Sequence, residues 1–389
     1  MARNYSHREL LLTTYLVSLF YALHFAFSLY VESSFVSLFI PKIYVGLLYS
    51  VAALAGGLFV LFLSEHLNRF TNYRTLVTLF TMELGCLILL AYSESPWLSG
   101  TLFVLHQTML VAMYTTINVY VEGLSKDSST GGIRGTFLTI LNLGILAAPL
   151  FAGFIFAADA YRSIFLMAAL LLVPALVLTM TILHNVKEPK YKELRVKALF
   201  HTFMSNKNLR TIFTCQFLLE FFYTIMVIYT PIYLHGTMGI PLSKIVGVIM
   251  PIALIPFVIF PYELGRIADL RLGEKEILIT GFVIAGLSTL AIPFISSGNI
   301  AVWALVLLIT RIGASFIEAM NSTYFYKKID GGDSTFIAVF DSTRMLALLV
   351  TPGIASLIIF FLPMQALFIM LGFVMLLGIR PAWKLIDTK

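Results

Sequence analysis

Charged residues are scarce in this 389-residue chain: Asp, Glu, Lys and Arg make up 12% of it, whereas hydrophobic residues make up 59%. Soluble domains carry about a quarter charged residues, so the composition excludes a soluble fold and indicates a polytopic membrane protein. Only two cysteines occur, Cys86 and Cys215, and both lie in apolar runs. Their number and positions exclude a disulfide framework and a cysteine-based zinc site.

Only one long polar segment occurs, and it is too short to hold a soluble catalytic domain. The longest polar segment runs from His184 to Arg210 and holds seven lysines and arginines against two glutamates. Paired catalytic carboxylates, metal-ligand clusters and nucleotide loops are absent from the sequence, so we predict no enzyme activity, no cofactor and no metal. The basic residues fall in short loops between apolar runs, which argues against nucleic acid as a partner.

Apolar runs fill the remainder, and twelve of them reach the roughly 20 residues that a membrane-spanning helix needs. The predicted spans of the first half are 10–31, 43–63, 74–92, 97–121, 135–157 and 161–183. Those of the second half are 209–234, 242–263, 276–295, 299–323, 334–360 and 363–380. The first run is too long for a signal-peptide core and lacks a small-residue cleavage site, so we expect it to remain as the first span.

Lysine and arginine predict the orientation, because cytoplasmic loops carry their excess. With the N-terminus inside, all but five of the 26 lysines and arginines fall in cytoplasmic segments. Lys42, Arg162 and Lys244 are external, and Arg311 and Arg344 lie within spans. We therefore predict a multi-pass protein of the cell (inner) membrane with both termini cytoplasmic.

The second half repeats the first at an offset of about 200 residues. The loop at 64–71 aligns with the loop at 265–273, and Pro149 aligns near Pro352. Six spans per half give the two halves the same orientation. The sequence thus predicts an all-α membrane protein with two pseudo-symmetric six-helix bundles. These bundles are 1–183 and 209–389, joined by a cytoplasmic basic linker at 184–208.

With this plan the chain resembles the major facilitator superfamily, and the resemblance extends to that superfamily's loop motif, Gly-x-x-x-Asp-Arg/Lys-x-Gly-Arg/Lys. Gly265, Asp269 and Gly273 stand at its positions with one extra residue, and the first copy keeps Arg69. The resemblance implies that Asp269 meets the start of the fifth helix near Arg134 and locks the cytoplasmic side in the outward-facing state. The alternative is an ordinary polar turn at a membrane surface.

A second motif lies in the fifth predicted span. Gly135, Gly144, Pro149 and Gly153 resemble the superfamily's antiporter motif, with alanine at two of its glycine positions. Small residues let helices approach closely in lipid and proline bends a helix, so we expect a tightly packed hinge. The resemblance implies exchange of a solute for protons, and the alternative is generic small-residue packing. The intramembrane arginine of efflux members is replaced by His106 in the fourth span, which argues against a drug exporter.

Ionisable side chains at membrane depth usually face a cavity or a partner and mark a pathway. By the resemblance, spans 1, 4, 7 and 10 line the central cavity. They supply the candidates for the substrate and proton pathway, which are Glu220, Arg311, Glu318, His24, His106 and Tyr223. A buried carboxyl can hold a proton at neutral pH, which makes Glu220 the first candidate for the proton carrier. Its alternative is a structural ion pair with Arg311, which is equally a candidate anchor for an anionic solute.

Other charged positions leave more than one interpretation open. Asp341 and Arg344 stand at i and i+3 and are predicted to form a gating or structural pair. His24 and His106 are proton relays or packing residues. Glu83 lies in the third span, which the resemblance places at the periphery, so it is protonated, turned inward, or a sign of a misplaced span.

Together these observations predict a secondary active transporter of a small organic solute that works by alternating access, with proton-coupled antiport or efflux as its mode. One alternative is a proton symporter or uniporter that imports a sugar, nucleoside or organic anion. Another is a non-transporting membrane receptor or enzyme. The predicted partners are the solute, protons and the lipid bilayer, and we expect a monomer.

Overall fold

The computed structural model describes residues 5–124, 130–155, 161–186, 207–268, 273–328 and 334–386. Within these ranges every regular element is a helix. This is the expected outcome for a chain in lipid, where a helix satisfies its backbone hydrogen bonds within itself.

Twelve helices in these ranges are long and apolar enough to cross a membrane, which confirms the predicted fold class. Spans 1 to 6 are His7–Ser28, Lys42–Leu61, Asn72–Ala91, Pro96–Gly123, Thr136–Ile155 and Tyr161–Thr181. Spans 7 to 12 are Lys207–Gly236, Leu242–Gly265, Glu274–Phe294, Ile300–Phe325, Thr343–Phe361 and Gln365–Trp383.

Two short helices occupy segments that the sequence analysis treated as a span end or a loop. Glu32–Phe39 follows span 1 after a three-residue turn and buries Glu32 and Phe35. Leu63–Phe70 follows span 2 and buries Leu63 and Leu67. Each is too short to cross a bilayer. Leu63–Phe70 buries residues on one side only, as an amphipathic helix does, whereas the first half of Glu32–Phe39 is buried on all sides.

The chain divides into two compact units. Unit 1 comprises Met1–Pro41 and Val51–Leu194, and unit 2 comprises Lys42–Ser50 and Arg195–Lys389. The start of span 2 belongs to unit 2 because its backbone packs there: a Cβ atom on Gly46 would lie 2.1 Å from the hydroxyl of Tyr229 and 2.6 Å from the carbonyl oxygen of Pro352.

Unit 1 is organised around span 1, which packs against spans 5 and 6, while span 3 packs against spans 4 and 6. Gly144 of span 5 sets the distance to span 1. A Cβ atom at this position would lie 2.6 Å from the Cβ atom of Ala22. Glycine therefore permits the close approach that the small-residue motif predicts.

Unit 2 contains a broken helix and a very close helix pair. Span 8 consists of Leu242–Lys244, a π-helical turn at Ile245–Ile249, Met250–Leu254 and Pro256–Ile267. Prolines lack the backbone donor that a continuous helix needs, which accounts for the break before Pro256. Spans 9 and 10 meet at Gly281 and Gly313, and a Cβ atom on Gly313 would lie 2.4 Å from the backbone nitrogen of Ala285.

We expect Gly313→Ala to destabilise unit 2, because the added methyl group would overlap the backbone of span 9. Overpacking of this kind costs about 1–3 kcal/mol. Thermal unfolding of the purified protein in detergent measures the effect. The matched control is Gly85→Ala in span 3, where a Cβ atom would meet nothing within 4 Å. Equal unfolding temperatures for the two variants would contradict the close contact.

Candidate functional site

In unit 1, a histidine from span 4 joins two buried carboxylates. The Nδ1 atom of His106 lies 2.5 Å from Oε1 of Glu83 in span 3. Its Nε2 atom lies 3.1 Å from Oε1 of Glu32, the first residue of the short helix Glu32–Phe39. All three side chains have no exposed surface. His106 therefore ties three separate helices together at membrane depth.

Two polar neighbours complete the surroundings of Glu32. The hydroxyl of Ser28 donates to Oε1 at 2.5 Å, and the side-chain amide of Gln107 donates to Oε2 at 2.5 Å. With His106, this gives the Glu32 carboxylate three hydrogen-bonding neighbours. Hydrogen bonds of this kind stabilise an ionised carboxylate away from water.

His24 of span 1 approaches Glu83 from the other side. Its Nε2 atom lies 3.4 Å from Oε1 of Glu83, and its Nδ1 atom lies 3.1 Å from the carbonyl oxygen of Ala168 in span 6. The rings of His24 and His106 meet edge to face at 6.2 Å. We call His24, Glu32, Glu83 and His106 the histidine–glutamate cluster.

This cluster decides between the interpretations of Glu83 that the sequence left open: the side chain turns inward. The sequence grouped His24 with His106 and placed Glu32 near the external end of span 1, but it did not indicate Ser28 or Gln107. What the sequence did indicate was the position of the other members, since His24, Glu83 and His106 are ionisable residues well inside three predicted spans.

In unit 2, a second polar cluster joins spans 7 and 10. The hydroxyl of Tyr223 donates to the Glu318 carboxylate. The side-chain amide of Gln216 donates to Oε1 of Glu220 at 3.0 Å, and the side-chain amide of Asn321 donates to the side-chain Oε1 of Gln216 at 3.1 Å. Spans 7 and 10 thus present carboxylates, amides and a phenol to one another. We call these five residues the tyrosine–glutamate cluster.

Cationic side chains border this cluster. The guanidinium of Arg311 lies over the ring of Phe222 at 5.2 Å, and the Arg311 side chain is nearly fully buried. Tyr223 lies within the electrostatic range of Arg311 and Glu220. Arg344 of span 11 acts electrostatically on Glu318. The predicted residues Glu220, Tyr223, Arg311 and Glu318 therefore belong to one region of unit 2.

The predicted gating residues lie partly outside the described part of the chain. Asp269 is outside the described residues, and the side chains of Arg134 and Asp341 are likewise not described. Gly273 has φ 86°, a conformation that favours glycine, and it precedes span 9. Gly265 has open space where a Cβ atom would stand.

The first copy of the loop motif lies in the short helix Leu63–Phe70. The guanidinium of Arg69 lies 5.1 Å from the centre of the Phe70 ring. Partial burial, and secondly the positive charge of Arg69, lower the pKa of His66. This surface helix is therefore positively charged at Arg69 while His66 resists protonation.

The structure describes the surroundings of most residues of the antiporter-like motif, but not those of Gly135. Pro149 lies inside the helix Thr130–Ile155, and Ala148 and Ala152 on either side of it are fully buried. Gly144 contacts Ala22 as described above, and Gly153 is partly buried.

Among the described residues, no group of three His, Cys, Asp or Glu side chains is arranged to hold a metal ion.

Comparison with known proteins agrees with this architecture. The sequence profile described as Major Facilitator Superfamily matches residues 10–332. The chain belongs to this superfamily. It is a multi-pass membrane transporter of the superfamily. A search of curated protein sequences finds no match.

Solved structures of superfamily transporters share the fold at low sequence identity. A mutant of the nucleoside transporter NupG has a TM-score of 0.75 and 14% identity, over 96% of this chain and 99% of that one. A bacterial homologue of the human lysosomal transporter Spinster, in an inward-facing and unoccupied conformation, has a TM-score of 0.70 and 13% identity. That comparison covers 97% of this chain and 93% of the other.

We expect the Tyr223–Glu318 contact to stabilise unit 2. Tyr223→Phe removes the only hydroxyl that the structure shows donating to Glu318, and an unsatisfied buried acceptor costs about 1–3 kcal/mol. A double-mutant cycle with Glu318→Gln, followed by thermal unfolding, isolates the interaction. Tyr44→Phe at an exposed position is the control. Additive effects of the two substitutions would contradict the contact.

Proposed function

We propose that this superfamily member is a proton-coupled secondary transporter that exchanges a small polar organic solute for protons by alternating access. The tyrosine–glutamate cluster is the single observation that carries the proposed transport of a polar solute. Polar and charged side chains within a membrane cost free energy unless they pair with other groups or bind a ligand. In membrane proteins they mark solute and ion pathways.

The chemistry of that cluster suits a solute with several hydrogen-bonding groups. The carboxylates of Glu220 and Glu318 accept hydrogen bonds, the amides of Gln216 and Asn321 both donate and accept, and Tyr223 adds an aromatic face. A hydroxylated or heterocyclic solute can replace these internal contacts one for one. The internal hydrogen bonds of the cluster then describe the state without bound solute.

Protons are the coupling ion in this proposal because unit 1 buries two histidines and two glutamates together. Histidine changes its charge near neutral pH more readily than any other side chain. The sequence prediction that Glu220 carries the proton stays a prediction, and the experiment below tests it. We further propose that the moving bodies are the bundles 1–183 and 209–389, with the linker 184–208 and both termini on the cytoplasmic side of the cell membrane.

The second candidate function is import by symport or uniport of a sugar, nucleoside or organic anion. Arg311 favours it, since a buried guanidinium suits a carboxylate or phosphate group. The fold likeness to NupG, described as a nucleoside transporter, adds nucleosides to the compounds worth testing. Efflux of an amphipathic cation gains no support from a buried arginine.

The test is counterflow and uptake in proteoliposomes with a panel of nucleosides, sugars, organic anions and amphipathic cations, with and without a proton gradient. We expect one compound class to exchange, and a gradient to drive its accumulation. Glu220→Gln should abolish the driven accumulation but not exchange if Glu220 carries the proton, and should reduce both if Glu220 only binds the solute. Arg311→Gln should reduce flux at least tenfold for an anionic solute, about 1.4 kcal/mol in binding.

Matched controls are Glu276→Gln and Arg74→Gln, which change the same residue types at exposed positions. Wild-type flux in both controls shows that the losses are local. Exchange that no gradient affects would contradict proton coupling. A complete lack of exchange across the panel would contradict the proposed solute class.

A further inference from the structure

One contact in the histidine–glutamate cluster is weaker than the others. His24 Nε2 lies 3.4 Å from Glu83 Oε1. Neither His24 Nε2 nor Glu83 Oε2 has a hydrogen-bond partner among the described residues, although both atoms are buried. Buried polar atoms are nearly always paired in folded proteins. The unpaired Nε2 atom makes the 3.4 Å contact to Oε1, and the unpaired Oε2 atom belongs to the same carboxylate, so this pair can accommodate the gain or loss of a proton.

The contacts of His106 define one tightly held proton. A neutral imidazole has one donor and one acceptor nitrogen, but both nitrogens of His106 face carboxylate oxygens, at 2.5 and 3.1 Å. Glu32 already accepts from Ser28 and Gln107, as an ionised carboxylate does. The two short contacts are both satisfied when His106 carries a proton on each nitrogen.

The contacts of His24 define a second proton that is held more loosely. Its Nδ1 atom faces the carbonyl oxygen of Ala168 at 3.1 Å and must donate, because a carbonyl only accepts. In the neutral ring, Nε2 therefore presents its lone pair to the Glu83 carboxylate. A proton on Nε2 turns this repulsive contact into an ion pair. Losing that proton disturbs only the 3.4 Å contact.

We propose that His24 and Glu83 form the exchangeable proton-binding site of this transporter, while the proton on His106 stays in place and holds the cluster together. Binding adds a proton to the Nε2 lone pair of His24 without breaking any bond, and release returns it. The cluster then alternates between no net charge and one negative charge. The inference rests on the proposed function only for the use that transport makes of this proton.

The surroundings of the pair supply few competing charges. Within Thr136–Ile155 of span 5 no residue is charged, and span 6 contributes the Ala168 carbonyl and an exposed Arg162 at its start. The Cys86 thiol contacts the Leu102 carbonyl oxygen at 3.2 Å, and the Tyr21 hydroxyl donates to the Leu110 carbonyl oxygen at 2.9 Å. In the described part of the chain, the ionisable groups that face the pair are thus Glu32 and His106, besides the Cys86 thiol and the Tyr21 phenol.

Nitrogen-15 NMR of the full chain with labelled histidine measures this protonation directly. The protein has seven histidines, and the signals of His24 and His106 are assigned by their loss in His24→Gln and His106→Gln. We expect His106 to remain doubly protonated from mildly acidic to mildly alkaline pH. His24 should show both a doubly and a singly protonated form as the pH is varied.

Glu83→Gln should remove the doubly protonated His24 signal at neutral pH, whereas Glu83→Asp, which keeps the charge, should retain it. Glu94→Gln, at an exposed position, is the control and should leave both signals as in the wild type. A His24 that stays singly protonated throughout, or that titrates identically in Glu83→Gln, would overturn the proposal. The measurement needs no solute. It therefore tests the protonation of His24 independently of whether the proposed transport function is correct.

Discussion

His106 bridges two buried carboxylates, and the arrangement of unit 1 depends on that bridge. Through Glu83 and Glu32 it connects span 4 to span 3 and to the short helix after span 1. Removing one member of a buried charged group leaves its partners uncompensated, at a cost of about 3–5 kcal/mol. The cluster therefore constrains the rotation of each helix about its own axis, which hydrophobic contacts with lipid leave nearly free.

The two units carry different chemistry. Unit 1 gathers imidazoles and carboxylates whose contacts depend on the number of protons they hold. Unit 2 gathers amides, carboxylates and a phenol, beside the buried Arg311, that can hydrogen-bond to a solute. In our account, the proton binds at His24 and Glu83, and the solute binds near Tyr223 and Glu318. Coupling then requires that one conformational change alters both sites, as alternating access provides.

The span count could be predicted because the bilayer thickness sets the length of each apolar run. His24, Glu83 and His106 could be recognised from the sequence as ionisable residues within those runs, and His24 and His106 as candidates for the pathway, which stays a prediction. Their mutual contacts could not be predicted, because these depend on helix rotation, which local packing such as that of Gly144 on Ala22 determines. The separate helix Glu32–Phe39 was not predicted, because the three-residue turn before it does not interrupt the apolar character of the sequence.

The central claim is that proton and solute bind in different units, and a comparison of His24→Gln with Glu318→Gln in proteoliposomes tests it most directly. Both variants are measured with a compound that the wild type exchanges. We predict that His24→Gln retains counterflow but loses gradient-driven accumulation, whereas Glu318→Gln loses both. Gradient-driven accumulation at the wild-type level in His24→Gln, or intact counterflow in Glu318→Gln, would contradict the account.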